Sequence, residues 1–136
     1  MNEPTSIDRE IFLLLLAERF PDIASSISEF AIGLLHPEMG EVAHATRTAI
    51  ASGAWTIVGA HFQFIERIFA NGDDSVRNAV YVSYLENVLL GESSQEFNKA
   101  KLMLPPLLMQ AFTELEAHFD MLSSADTKTA RQADGK

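Results

Sequence analysis

Hydrophobic residues recur at spacings of three and four along most of the chain, which is the pattern of amphipathic helices. Proline, glycine and asparagine interrupt this pattern and divide the chain into about seven helical segments. The segment from about Ser75 to Leu90 is apolar around most of its helical circumference. A helix of this kind is expected in the middle of a domain. We therefore predict an all-α fold, either a compact bundle or an irregular stack of helical hairpins, around a central helix at 75–90.

The interruptions also predict where other helices begin and end. The first helix is expected to end near Arg19, because Pro21 disfavours helical backbone at the residue before it. The second is expected over 23–34, where apolar residues follow the helical spacing. The third is expected to carry Pro37 in its first turn and to end at Gly53 in a left-handed conformation. The third and fourth helices are alternatively one long bent helix.

The length of the chain fits one domain, and 136 residues with 47% hydrophobic residues are enough to bury a core. Apolar residues become scarce after Leu122, so we predict a helical domain at 1–122 and a disordered polar tail at 123–136. Residues 48–65 contain no charged side chain. A Ser-Gly break within this stretch favours two buried core elements over a membrane span.

The chain is acidic, with 19 acidic and 10 basic residues and a formal net charge of −9. Such a chain repels phosphates, which disfavours nucleic acids and anionic membranes as partners. It is compatible with a basic protein partner, although solubility is the commoner reason for an acidic surface. The absence of cysteine excludes disulfides, cysteine-based zinc sites and thiol nucleophiles. The first residues lack the basic region of a signal peptide, so we expect a cytoplasmic protein.

Candidate catalytic and metal-binding residues are few. Glu41 and His44 form one Glu-x-x-His pair, but a di-iron centre needs a second such pair and two further glutamates. We favour a solvated first helical turn, and keep a metalloenzyme built on this pair as a minor alternative. His61 lies among apolar residues and is expected to be a core histidine with one hydrogen bond. We therefore predict no catalytic residues, no metal site, no cofactor and no enzymatic activity.

The run from Phe64 to Asn87 resembles a family of small helical bacterial proteins whose pattern reads roughly F-I-E-x-x-x-x-x-G-D-x-x-V-x-N-A-x-x-V-S-F-L-E. Residues 104–108 also fit the family and residues 36–40 fit more loosely, so the resemblance covers about 36–120. Some of these proteins look like immunity proteins encoded beside polymorphic toxins of the Rhs and contact-dependent kinds. The resemblance implies a cytoplasmic protein that binds and neutralises a cognate toxin domain, and it implies no catalytic residues.

The predicted function is therefore that of a non-catalytic immunity protein that binds a basic toxin domain. The alternative is a helical adaptor or regulatory module unrelated to toxins. Complementary charge would accelerate association with a basic partner. We expect the contacts to come from exposed acids near helix ends, namely Glu38, Glu41, Glu66, Asp73 and Asp74. For each of these residues, helix capping or solubility is the competing explanation.

Overall fold

Seven helices make up the described part of the chain, in agreement with the predicted all-α fold. The computed structural model describes residues 6–27 and 33–134, with side chains described as far as residue 120. The helices are α1 (Arg9–Arg19), α2 (Pro21–Ser26), α3 (Leu35–Ala51), α4 (Trp55–Asn71), α5 (residues 74–88), α6 (Gln95–Leu102) and α7 (Pro106–Asp134). Helix α5 consists of an α-helical part (Asp74–Ala79), a π-helical part (Val80–Leu85) and a final α-helical turn (Glu86–Val88).

Helix α5 is the centre of the fold, as its apolar circumference predicts. Helices α1, α3, α4 and α7 all contact it. The side chains of Val80, Tyr84, Leu85 and Val88 are completely buried. Burying a helix on several sides removes more apolar surface from water than burying a single face, so α5 organises the core.

Helix α4 contributes one continuous apolar stripe to this core. Val58, Phe62, Ile65 and Phe69 follow the helical spacing and are all buried. Neighbouring helices α3 and α7 pack against α4. One face of α4 therefore lies in the core.

A short pairing of extended backbone joins the start of the described chain to the turn between α4 and α5. The Ile7 amide donates to the Asn71 carbonyl at 2.7 Å, and the Asp73 amide donates to the Ile7 carbonyl at 2.9 Å. Gly72 lies between these bonds. A Cβ atom there would lie 2.7 Å from the Ile68 carbonyl oxygen, so a side chain at this position would force the turn apart.

The second helix is shorter than predicted. Helix α2 ends at Ser26, and the backbone is extended at Ile27 and at Leu34. Phe30 and Ala31, which belong to the predicted helix, lie outside the described residues. Gly33 has a φ of +93°, a left-handed conformation that does not continue a right-handed helix. The predicted helix over 23–34 is therefore wrong at both Ile27 and Leu34.

The boundaries of α3 agree with the prediction. Pro37 lies in its first turn, and Gly53 follows its end with a φ of +72°. This left-handed glycine separates α3 from α4, so the alternative of one long bent helix is excluded.

Helix α7 continues through residues for which the sequence predicts a disordered tail. Its backbone is helical as far as Asp134. Loss of apolar residues does not itself end a helix, and the segment is rich in alanine and other helix formers. No proline or glycine follows Pro106 until Gly135. The division into a domain at 1–122 and a tail stays a prediction, but residues 123–134 are helical.

Candidate binding cleft

Glu38, one of the predicted contact residues, is completely buried. Its carboxylate accepts hydrogen bonds from Arg9 Nε at 2.8 Å, from Arg9 Nη2 at 2.7 Å and from the Gly33 amide at 2.7 Å. Burial raises the pKa of the Glu38 carboxyl, but these hydrogen bonds outweigh burial and hold the pKa below its ordinary value. The expectation that Glu38 is an exposed acid is wrong, because the residue joins α1 to the start of α3.

Glu66 also has an intramolecular role. It is half-buried on α4, and its two carboxylate oxygens accept from the Leu107 amide at 3.1 Å and the Leu108 amide at 2.9 Å. The first amides of a helix have no partner within the helix, and an acid near that end is favoured by the helix dipole. Glu66 therefore caps α7 from a neighbouring helix. Its role in partner binding stays a prediction.

The other three predicted contact residues differ among themselves. Asp73 is the N-cap of α5, and its carboxylate accepts from the Val76 amide at 2.9 Å. Asp74 is exposed in the first turn of α5, and Glu41 is half-buried on α3. Within the described side chains, neither Asp74 nor Glu41 forms a side-chain hydrogen bond. These two acids are the members of the predicted set that stay available to a partner.

A concave apolar surface lies where the corner between α1 and α2 packs against α4. The cavity has a volume of about 290 Å³. Phe20, Ile23 and Ile57 provide its apolar walls, and His61 lines it on the side of the core. Ile57 is 51% exposed, whereas Ile23 and His61 are buried. The cleft therefore opens to solvent beside an exposed isoleucine and ends on a buried imidazole.

His61 is held by a buried polar cluster behind the cleft. Its Nδ1 lies 2.9 Å from Thr46 Oγ1, which also lies 2.9 Å from the Tyr84 hydroxyl. Phe20 contacts the imidazole edge-to-face, with the ring centroids 4.9 Å apart. Burial lowers the pKa of His61, which favours the neutral form of the ring. The prediction of a core histidine with one hydrogen bond is confirmed.

The cleft differs from the predicted contact surface, although the sequence carries two signals of it. Phe20 is an aromatic residue directly before the helix-breaking Pro21. Ile57 lies one position before the buried stripe residue Val58 and therefore falls outside the α4 core face. Such a cleft is indicated when an apolar residue lies outside the core stripe of its helix and faces an aromatic residue at the corner between two other helices.

Comparison with known proteins identifies the family of the chain. A domain of unknown function, DUF7674, matches residues 13–120. The chain belongs to this family. The matched region includes the cleft, the buried cluster behind it and both structural acids, Glu38 and Glu66. No curated protein and no solved structure is significantly similar to the chain.

The described residues also bear on a membrane span and on a metal site. None of the described helices combines the length and the apolar character that a bilayer span requires. Within the described side chains, no three His, Asp or Glu residues converge in an arrangement suited to a metal ion. Glu41 and His44 accordingly have no third such ligand beside them in this part of the chain.

Proposed function

We propose that this protein is a binding protein whose cleft between the α1–α2 corner and α4 receives an apolar side chain of a basic protein partner. The observation that carries this proposal is the cleft itself, an apolar cavity of about 290 Å³ with a half-exposed isoleucine at its mouth. Buried aromatic or aliphatic anchors in such cavities supply much of the affinity of protein interfaces. The partner is a toxin catalytic domain, which the protein neutralises in the cytoplasm as an immunity protein.

The net charge of the whole chain supports a basic partner. The chain carries a formal net charge of −9, whereas the cleft lining itself holds one acid, Asp22, and one base, Arg19. Opposite net charges accelerate encounter, and the effect weakens as salt screens the charges. Asp74 and Glu41 add to the negative electrostatic potential of the chain. Neither side chain has an intramolecular hydrogen-bond partner in the described residues.

The apolar contact is tested with Ile57→Glu. Titration calorimetry would measure its affinity for the toxin domain encoded beside the gene, and co-expression would measure protection of growing cells. Loss of one buried apolar contact lowers the affinity roughly tenfold or more. The matched control is Leu102→Glu, because Leu102 is 83% exposed on α6 and does not line the cleft.

The expected result is that wild type and Leu102→Glu bind and protect, whereas Ile57→Glu binds at least tenfold more weakly. Equal affinities for the two variants would refute the cleft as the contact surface. If the adjacent domain does not bind wild type at all, the immunity role is wrong. Specific binding of a partner that is not a toxin through the same cleft would instead favour the adaptor function.

The contribution of charge is tested separately with Asp74→Lys and Glu41→Lys. We expect each reversal to slow association with a basic domain several-fold at low salt, with a smaller difference at high salt. Stopped-flow measurements at both salt concentrations would show this. Association rates that do not change in either variant would remove these two acids from the interface. Glu38 is unsuitable for this test, because its replacement perturbs the fold.

A further inference from the structure

The proton positions in the cluster behind the cleft follow from a count of donors. Thr46 Oγ1 lies 3.1 Å from the Val42 carbonyl oxygen, in addition to its contacts with His61 Nδ1 and the Tyr84 hydroxyl. A hydroxyl has one hydrogen to donate and two lone pairs. All three contacts are hydrogen bonds only if Thr46 donates to Val42 and accepts from both His61 and Tyr84. Any other assignment leaves one of the three contacts unbonded.

This assignment places the single ring proton of neutral His61 on Nδ1. Nε2 then carries a lone pair and acts as an acceptor. Within the described residues, no protein group hydrogen-bonds to Nε2. The imidazole is 4% exposed and lines the cleft. A residue of the cleft lining therefore carries a buried acceptor that has no partner within the described residues.

We infer that the cleft is specific for a tyrosine side chain of the partner, whose phenol hydroxyl donates to His61 Nε2 while its ring contacts Phe20 and Ile57. This inference rests on the proposed function, since it names the group that the same cleft binds. A cavity of about 290 Å³ is at the lower end of ligand-sized pockets and suits one aromatic side chain.

The chemistry of the walls favours tyrosine over other donors. A lysine or arginine would bring a charge to a buried neutral imidazole, and desolvating that charge is costly because the acid of the lining, Asp22, is itself exposed to solvent. A phenol places its apolar ring against apolar walls and only its hydroxyl against the imidazole. Phenylalanine would fill the walls but leave Nε2 without a partner, which disfavours its binding.

The experiment uses p-cresol as the tyrosine probe and 4-methylanisole as its matched control, because methylation removes the hydroxyl donor and keeps the ring. Both are titrated into the full chain and followed by NMR of the backbone amides and of the His61 ring nitrogens. We expect p-cresol to bind about three- to tenfold more tightly than 4-methylanisole, which corresponds to one neutral hydrogen bond. We also expect only p-cresol to shift the His61 Nε2 resonance.

Two further measurements keep the inference testable. The ring nitrogen spectrum of the free protein is expected to show a protonated Nδ1 and an unprotonated Nε2, and a protonated Nε2 would overturn the inference. In His61→Phe the two probes are expected to bind equally. Equal binding of the probes to wild type would also overturn the inference, but would leave the apolar cleft of the proposed function intact. If neither probe binds in the cleft, both the inference of a tyrosine ligand and the proposed apolar cleft fail.

Discussion

Replacing Glu38 with glutamine tests whether one buried carboxylate holds the first third of the fold together. The carboxylate accepts three short hydrogen bonds, two from Arg9 and one from the Gly33 amide. Glutamine keeps one acceptor oxygen, but its amide nitrogen faces a donor, so at least one bond is lost together with the charge. Hydrogen bonds to charged groups contribute roughly 1.5–3 kcal/mol each. We expect the substitution to lower the free energy of unfolding by about 2–4 kcal/mol.

Urea denaturation followed by circular dichroism measures this change, with the slope of the transition checked for two-state behaviour. The matched control is Glu41→Gln, one helical turn further along α3, where the side chain forms no hydrogen bond with the described residues. Its effect should stay within about 0.5 kcal/mol. Equal denaturation midpoints for wild type and Glu38→Gln would refute the structural role assigned to the carboxylate.

The pH dependence of the same pair of proteins provides a second test. The pKa of Glu38 in the folded protein is below its ordinary value, because hydrogen bonds from Arg9 and Gly33 outweigh the effect of burial. A depressed pKa adds stability above the pKa of the unfolded chain, about 4.3 for glutamate, and this stability is lost as the pH falls through the folded pKa. The difference in the free energy of unfolding between wild type and Glu38→Gln should therefore become smaller below about pH 4. A difference that widens on acidification would contradict this reasoning.

Two further predictions compare matched substitutions. Gly72→Ala should destabilise the protein, because its Cβ would lie 2.7 Å from a backbone oxygen. The Cβ of Gly40→Ala in α3 meets nothing within 4 Å, so this variant should be more stable than wild type by about 0.5–1 kcal/mol. Thermal unfolding should show shifts of the melting temperature of opposite sign for the two variants, and equal shifts would be inconsistent with the turn geometry. Glu66→Ala should cost about 1–2 kcal/mol through loss of the α7 cap, whereas Gln63→Ala, exposed on the same helix, should have little effect. Hydrogen exchange would show faster exchange of the first α7 amides in Glu66→Ala alone, and unchanged rates would exclude the cap.

The sequence predicts the helices better than it predicts the roles of individual polar residues. Periodicity and helix-ending residues depend on neighbours within a few positions, so the α4 stripe and the left-handed Gly53 are recognisable locally. The Arg9 partner of Glu38 lies 29 positions away, and the Leu107 partner of Glu66 lies 41 positions away. Nothing in the residues around either acid indicates that pairing. The sequence therefore shows where acids occur near helix ends, but not which of them are used within the fold.

The cleft was not predicted for a similar reason. Its walls come from a corner at Phe20 and from an off-stripe residue at Ile57, which are 37 positions apart in the sequence and meet only in the folded protein. His61 is recognisable as a core residue from its apolar neighbours. The position of its ring proton depends on Thr46, 15 positions earlier, and is a property of the packed structure.

The π-helical part of α5 has a consequence for comparing members of this family. A π-helical turn spans one residue more than an α-helical turn, so residues 80–85 contain the equivalent of a single-residue insertion. A family member one residue shorter here would form a regular α-helix, and the residues after it would keep their positions around the axis, because the π-helical turn absorbs the extra residue. Positions equivalent to Val88 and Leu89, both completely buried, would then stay in the core. A gap of one residue in this segment is therefore compatible with the same packing in another member of the family.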